Sequence, residues 1–360
     1  MVPEPAAGVR LAHPDVGEEE LAEVAAVLES GQLTMGPKVA QLEALLAGAA
    51  GTTHAVAVSS GTAALHVAVL ALGIGEGDEV LVPAYTFPAT ANVVALAGAR
   101  PVLVDVDPVT MNMDPEGAAR RVTSKTKALL AVHLFGRPAR LEELPKLPVL
   151  EDAAGALGAQ HRGRPCGGLG LLGSFSFHPR KIVTTGEGGA VTTNDDALAE
   201  RMRSLRHHGW SPSNAYDDMP AGAYNYRLSD ILAAVGIPQL RRLEELLAAR
   251  ERVAAGYAER LAGLEITLPT ADEGDRHGWQ AYIVQLDGRD AVMEGLRAQG
   301  IQCQIGTYAL HRLGAYRDQG PFPGADAAFE RALALPIHNR LEEADLDRVA
   351  EALDKLVSHH

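Results

Sequence analysis

Ser174-Phe-Ser-Phe-His-Pro-Arg-Lys-Ile-Val-Thr-Thr-Gly-Glu-Gly-Gly-Ala190 sets one lysine, Lys181, between an apolar run and a glycine-rich turn. The run at 174–177 reads as a strand, which fixes the place of whatever follows it. The glycines at 186–189 let the backbone pass close to a ligand. A lysine held there, out of bulk water, loses its proton and attacks a carbonyl as a Schiff-base nucleophile. The plain alternative is a surface lysine beside a turn. The rest of the chain decides between them.

Outward from this stretch, short apolar runs alternate with amphipathic ones. Strands are expected at 55–58, 79–82, 101–104, 128–132, 149–151, 174–177 and 190–193. Helices are expected between them at 62–72, 88–97, 115–122 and 141–144. Strands apolar on both faces and separated by helices imply an α/β layered domain with a mostly parallel sheet. Residues 18–30 and 37–49 read as two helices in front of it. Helix 195–207, a polar loop at 208–225 and a long helical run at 229–261 follow. The pattern then restarts as a small α+β unit: strand 280–286, helix 291–299, strand 302–305, and helices 325–334 and 342–357. The expected division is 1–245 for the large domain, with its N-terminal helices, and 246–360 for the small one.

The chain has 360 residues, 47% of them hydrophobic, enough to bury a large core. Its net charge of −14 argues against nucleic-acid or anionic-membrane binding, which require a basic face. No run of about 18 apolar residues is present to span a membrane, and the first ten residues show no signal-peptide pattern. The two cysteines, Cys166 and Cys303, form no disulfide framework, which suits a cytoplasmic protein. The histidines show no metal-ligand spacing, and no metal is expected. Gly73-Ile-Gly-Glu-Gly77 follows a helix rather than a strand and reads as a turn before Asp78. His359 and His360 are given no role.

In open α/β sheets ligands sit at the carboxyl ends of strands. Ser59-Ser60-Gly61-Thr62-Ala63-Ala64 opens a helix there and suits a phosphate, though Ser-Gly-Thr is also an ordinary N-cap. Pro83-Ala-Tyr-Thr-Phe-Pro-Ala-Thr90 offers Phe87 to stack on a flat heterocycle, or simply to pack. Val149-Leu-Glu-Asp-Ala-Ala154 ends a buried strand in Asp152, a carboxylate that needs a cationic partner such as the pyridinium nitrogen of pyridoxal 5'-phosphate, or else caps a helix. Ser176, five residues before Lys181, has a hydroxyl able to reach the same phosphate.

Taken in order, these segments resemble the sugar aminotransferases of the DegT/DnrJ/EryC1/StrS family, of pyridoxal-phosphate fold type I. Leu33-Thr-Met-Gly-Pro-Lys38, Asp105-Val-Asp-Pro108, His133-Leu-Phe-Gly136, Gly222-Ala-Tyr-Asn-Tyr-Arg227 and Leu335-Pro-Ile-His338 extend the resemblance over nearly the whole chain. It implies an aspartate-aminotransferase-like α/β fold: a large domain with a mixed, mostly parallel sheet of seven strands, and a small C-terminal α+β domain. It implies pyridoxal 5'-phosphate as cofactor, passing through pyridoxamine 5'-phosphate in the half-reaction. Lys181 is then the aldimine-forming catalytic lysine and Asp152 the pyridinium partner. Gly61, Thr62, Ala63 and Ser176 take the phosphate, Phe87 stacks on the ring, and Asn225 is donated by the neighbouring subunit of a homodimer with shared active sites. The implied reaction is ping-pong transfer of an amino group, with glutamate as the donor, to the keto group of a nucleotide-linked deoxysugar. Transfer to a cyclitol ketone such as an inosose, or a non-catalytic regulatory role, are the alternatives.

Three positions depart from the family pattern. Gly155 stands where a larger side chain usually touches the cofactor hydroxyl or the substrate, leaving a gap for water, substrate or another residue. Arg180 stands where a small polar residue is common, and meets either an anionic substrate group or solvent. Gly306-Thr-Tyr-Ala-Leu-His311 lacks the frequent histidine before the tyrosine, leaving Tyr308 and His311 as substrate-cleft candidates.

Overall fold

The computed structural model describes residues 8–210 and 222–358. Two helices come first: α1 (Glu18–Ser30) and α2 (Pro37–Ala50). Alternating elements follow: β1 (His54–Val58), α3 (Gly61–Ala71), β2 (Glu79–Pro83), the short β3 (Tyr85–Thr86), α4 (Ala89–Leu96), β4 (Arg100–Val104), α5 (Pro115–Arg121), β5 (Thr126–Val132) and β6 (Val149–Asp152). The hairpin β7 (Gln160–His161) and β8 (Arg164–Pro165) precedes β9 (Leu172–Ser176), β10 (Gly189–Thr193) and α6 (Asp196–Leu205).

Seven of these strands form one sheet in the order β1-β10-β9-β6-β5-β2-β4. Every pairing from β9 across to β4 is parallel, and β10 is antiparallel to both its neighbours. The seven strands expected from the sequence are all here. The one ending at the lysine loop lies two residues earlier at its start and one at its end than expected. The strands were legible because both sheet faces are covered. Val56, Val58, Val80, Val82, Leu130 and Leu150 face one buried cluster, and Leu81, Val104, Leu129 and Ala131 face another.

Two expectations fail beyond the sheet. The run at 229–261 is two helices, α7 (Asp230–Arg241) and α8 (Leu243–Leu261), broken at Arg242. Pro238 inside α7 removes a backbone donor just before that break. Residue 246 lies within α8. Of the expected polar loop, residues 211–221 lie outside the described residues, as do His359 and His360. Beyond α8 come β11 (Tyr282–Gln285), α9 (Arg289–Ala298), β12 (Gln304–Ile305), β13 (Tyr308–Ala309), α10 (Pro323–Arg331), β14 (Ala332–Leu335) and α11 (Glu343–Val357). The helix expected at 325–334 therefore ends at Arg331, and Ala332–Leu335 is the central strand of a three-stranded antiparallel sheet, β11-β14-β12. Ala-Leu-Ala-Leu has strong helix propensity, and pairing on both sides overrides it.

One pairing positions the site. β13 runs antiparallel to β3, setting Tyr308 opposite Thr86 and Ala309 opposite Tyr85. The C-terminal unit is thereby stitched to the turn after β2, beside the carboxyl ends of the parallel strands. Among the described residues no helix is long and apolar enough to cross a membrane.

Candidate active site

A cavity of about 400 Å³ opens at that edge. Gly61, Thr62, Phe87, Asp152, Ser176, Arg180, Lys181 and Tyr308, all named from the sequence, border it. Three others do not. Ala63 is buried with its N–H taken by Ser60 Oγ (3.1 Å), the ordinary N-cap of α3. His311 turns away to Asp326 (3.0 Å) and packs on Phe322. Asn225 is exposed, its backbone bridged to His207.

The lysine sits in a braced turn after β9. Lys181 N–H donates to His178 O (2.8 Å), Thr185 N–H to Phe177 O (3.0 Å), and the Thr184 hydroxyl to the same carbonyl (2.8 Å). From α7, fully buried Gln239 accepts from Thr184 N–H (2.9 Å) and donates to Thr184 O (2.8 Å), acting as a substitute peptide group. Burial lowers the Lys181 pKa to about 8 against the opposing pull of Asp152; the positive charges of Arg180 and Arg250 lower it further. About a tenth of this amine is therefore neutral, and nucleophilic, at pH 7, rising to about half at pH 8.

Asp152 ends β6 facing the cavity. Its carboxylate accepts from the Thr90 hydroxyl (2.9 Å) and from Ala154 N–H (3.2 Å), and Thr86 Oγ1 lies 3.2 Å from Thr90 Oγ1. Neither donor is a cation. Burial raises the Asp152 pKa, which these hydrogen bonds and the charge of Lys181 oppose. A buried carboxylate without an ion-pair partner is a receptor for a positively charged group. Thr90 stands within the quoted Pro83–Thr90 segment, and its spacing of four from Thr86 at the start of a helix was the available signal.

The phosphate-type cradle is equally tight. A Cβ built on Gly61 would lie 2.7 Å from the Cβ of Ser176, so only glycine lets α3 begin this close to β9. Gly61 and Thr62 at the start of α3 and Ser176 at the end of β9 all border the cavity, where a helix N-terminus suits an anion. Phe87 (61% exposed) and Tyr308 (40% exposed) meet edge to face at the rim, ring centroids 6.3 Å apart. The flat, open face of Phe87 is available to a planar ligand.

His133 borders the cavity with a fixed tautomer. Its Nδ1 accepts from Ala139 N–H (2.9 Å), so the proton is on Nε2, donated to Glu151 (2.8 Å). Glu151 is saturated by the N–H groups of Gly167, Leu169 and Gly170 and is structural. The gap expected at Gly155 is covered by Gln280, whose Oε1 would be 3.3 Å from a Cβ at 155. Arg250 of α8 fixes Gln280 through its carbonyl (3.2 Å) and that of Trp279 (2.8 Å). Gln280 and Gln304 were not found from the sequence, because only the fold brings them to residues 155 and 180.

The chain is 42% identical over 339 residues to the GDP-perosamine synthase of Caulobacter vibrioides, covering 90% of this chain and 91% of that one. Among solved structures, the aminotransferase TlmJ from Streptoalloteichus hindustanus matches with a TM-score of 0.93 at 34% identity, over 98% of this chain and 99% of that chain. DesV of S. venezuelae, in complex with a ketimine intermediate, matches with a TM-score of 0.89 at 35% identity, over 96% and 98%. The fold is the aspartate-aminotransferase-like fold type I expected from the sequence. With the sequence profile of the family matching residues 14–354, the chain belongs to the DegT/DnrJ/EryC1/StrS aminotransferase family.

Proposed function

We propose that this protein is a pyridoxal-phosphate-dependent aminotransferase that converts the ketone of a nucleotide-linked deoxysugar into an amine, with an amino acid, glutamate first among candidates, as nitrogen donor. One observation carries the reading. A lysine with a lowered pKa and a buried carboxylate lacking an ion-pair partner face the same cavity, beside a helix N-terminus that only glycine can open. The residues fit pyridoxal phosphate. Lys181 would hold its aldehyde carbon, Asp152 its ring nitrogen, and Gly61, Thr62 and Ser176 its phosphate. Phe87 would cover one ring face. When bound, this cofactor supplies an electron sink conjugated to the reacting carbon.

The protein's own part is orientation and proton traffic. Asp152, kept in place by Thr90 and Ala154, would hold the ring's positive charge. Lys181 Nζ, poised between neutral and charged, would take the proton from the donor's Cα and deliver it to the carbon on the other side of the transferred nitrogen. Arg250 and Gln239 lock the segments on either side, so the amine does not wander. Donor and acceptor use one cavity in turn, and ping-pong kinetics follow.

The identity to a GDP-perosamine synthase supports a nucleotide-sugar acceptor over a cyclitol ketone, and the intact Lys181–Asp152 arrangement supports turnover over a regulatory role. Asn225, exposed and not among the residues that border its own cavity, suits donation to a neighbouring subunit of a homodimer. The two buried free cysteines suit the cytoplasm. The test is the visible spectrum of the protein with pyridoxal phosphate. A yellow band that bleaches with glutamate and returns with a GDP-linked keto-deoxysugar is expected. A band that no amino donor bleaches would sink the reading.

A further inference from the structure

The lysine loop carries a second cation that the reaction above leaves unused. Arg180, the chain neighbour of Lys181, is half-buried and is the only arginine among the described residues that borders the cavity. Its Nη1 donates to the amide oxygen of Gln304 on β12 at 2.9 Å, a neutral partner. Among the described residues the carboxylates that border the cavity are Asp152 and Glu187, and neither forms an ion pair with it. Burial disfavours the charged guanidinium, and among the described residues the group that opposes this is the Tyr308 phenol rather than a carboxylate. The loop is also tied to Gln280, whose Nε2 lies 3.4 Å from Arg180 O, over the space that Gly155 leaves open.

A partly buried guanidinium aimed by an uncharged amide is an unfilled anion receptor, because its planar fork matches a carboxylate with two parallel N–H···O bonds. We propose that Arg180 clamps the carboxylate of the amino-acid donor, with Gln304 as the residue that positions its fork. This rests on the aminotransferase reading. Geometry favours the donor over the sugar substrate's diphosphate. An amino acid bears its carboxylate on the same carbon as the transferred nitrogen, so the cation that binds it stands beside Lys181. A sugar diphosphate carries its charge several bonds from the ketone, out of step with a cation adjacent to that lysine.

The experiment is isothermal titration calorimetry on the protein reconstituted with pyridoxal phosphate. Glutarate, a dicarboxylate without a transferable amine, is one probe and GDP the other. Arg180→Met should weaken glutarate about 10- to 100-fold, the range expected for one charge-assisted pair. It should leave GDP affinity within about twofold. Arg180→Lys should recover part of the loss, and Gln304→Leu should weaken glutarate about 3- to 10-fold while leaving the cofactor band intact. Unchanged glutarate affinity in Arg180→Met, or no measurable glutarate binding by the parent protein, would overturn the proposal. So would loss of GDP affinity with glutarate spared, which would move the clamp to the diphosphate. A cofactor band of normal size in each variant shows that the site has folded. A parent protein that never forms the band fails the aminotransferase reading itself, whereas glutarate binding by that protein still tests Arg180.

Discussion

Lys181 and Asp152 oppose each other electrostatically across one cavity, and that opposition sets a measurable pH dependence. Burial pulls the amine down to about 8, while the carboxylate's negative charge pulls it up. Protonated lysine does not attack an aldehyde, so the rate of pyridoxal phosphate capture by apoprotein should rise with pH. Its midpoint should lie near 8 and its plateau about one unit higher. Stopped-flow absorbance at saturating cofactor reads this directly; a rate still climbing steeply above pH 10 would mean that the amine is solvated. Lys181→Ala should abolish turnover outright. Thr90 offers the complementary test. Thr90→Val removes a hydrogen bond to the ionised form of Asp152, which pushes that acid's pKa further up and weakens its hold on a ring cation. Cofactor Kd should rise about tenfold, and Thr90→Ser should restore most of it, measured by fluorescence quenching. An equal loss in Thr90→Ser would show that the hydroxyl alone does not account for the effect.

Helices and strands show where sequence reading reaches its physical limit. The runs at 55–58 and 79–82 could only be strands, being short, apolar on both faces and bounded by turns. Lys181 was found because it follows such a strand, Asp152 because it ends one, and Ser176 because it lies five residues before Lys181. Ala332–Leu335 was read as helix because its residues prefer helix, and only partners on both sides make it β14. Gln239 and Gln304 were missed for the same reason, since each acts on a segment more than fifty residues away. A comparable long-range device begins α10. Asp105, the residue directly after β4, accepts from Gly324 N–H (3.0 Å) and Ala325 N–H (2.8 Å), an N-cap supplied from far along the chain. Asp105→Ala should cost about 1–2 kcal/mol in urea unfolding. Gly324→Ala should be worse, because its Cβ would lie 1.9 Å from Val106 O with no flexible side chain to yield. About 3 kcal/mol is expected there. A smaller loss than in Asp105→Ala would show that α10 moves freely on β4.

At the scale of the whole molecule, Gly61 and Thr62 of α3 and Ser176 of β9 are the described residues proposed above for the phosphate, all from one chain and all bordering its cavity. Asn225 lies outside it, exposed, in the segment that bridges back to His207 and packs near the stacked rings of Tyr224 and Tyr226. An exposed side chain costs little when truncated, so Asn225→Ala should leave the unfolding midpoint of the apoprotein unchanged within about 0.5 kcal/mol. If a neighbouring subunit places this amide on the bound phosphate, the same substitution should raise the cofactor Kd about 10-fold, the size of one hydrogen bond to a charged group. Dilution separates this from a local effect. A site completed across an interface loses cofactor as protein concentration falls through the dimer's dissociation constant, and one completed within a chain does not. Sedimentation velocity and cofactor fluorescence, followed over the same dilution series, should therefore show dissociation and cofactor release together in the parent protein. In Asn225→Ala, cofactor release should come at higher protein concentration while the dissociation curve stays in place. Unchanged cofactor affinity in that variant would remove Asn225 from the site and leave each subunit to hold its cofactor alone.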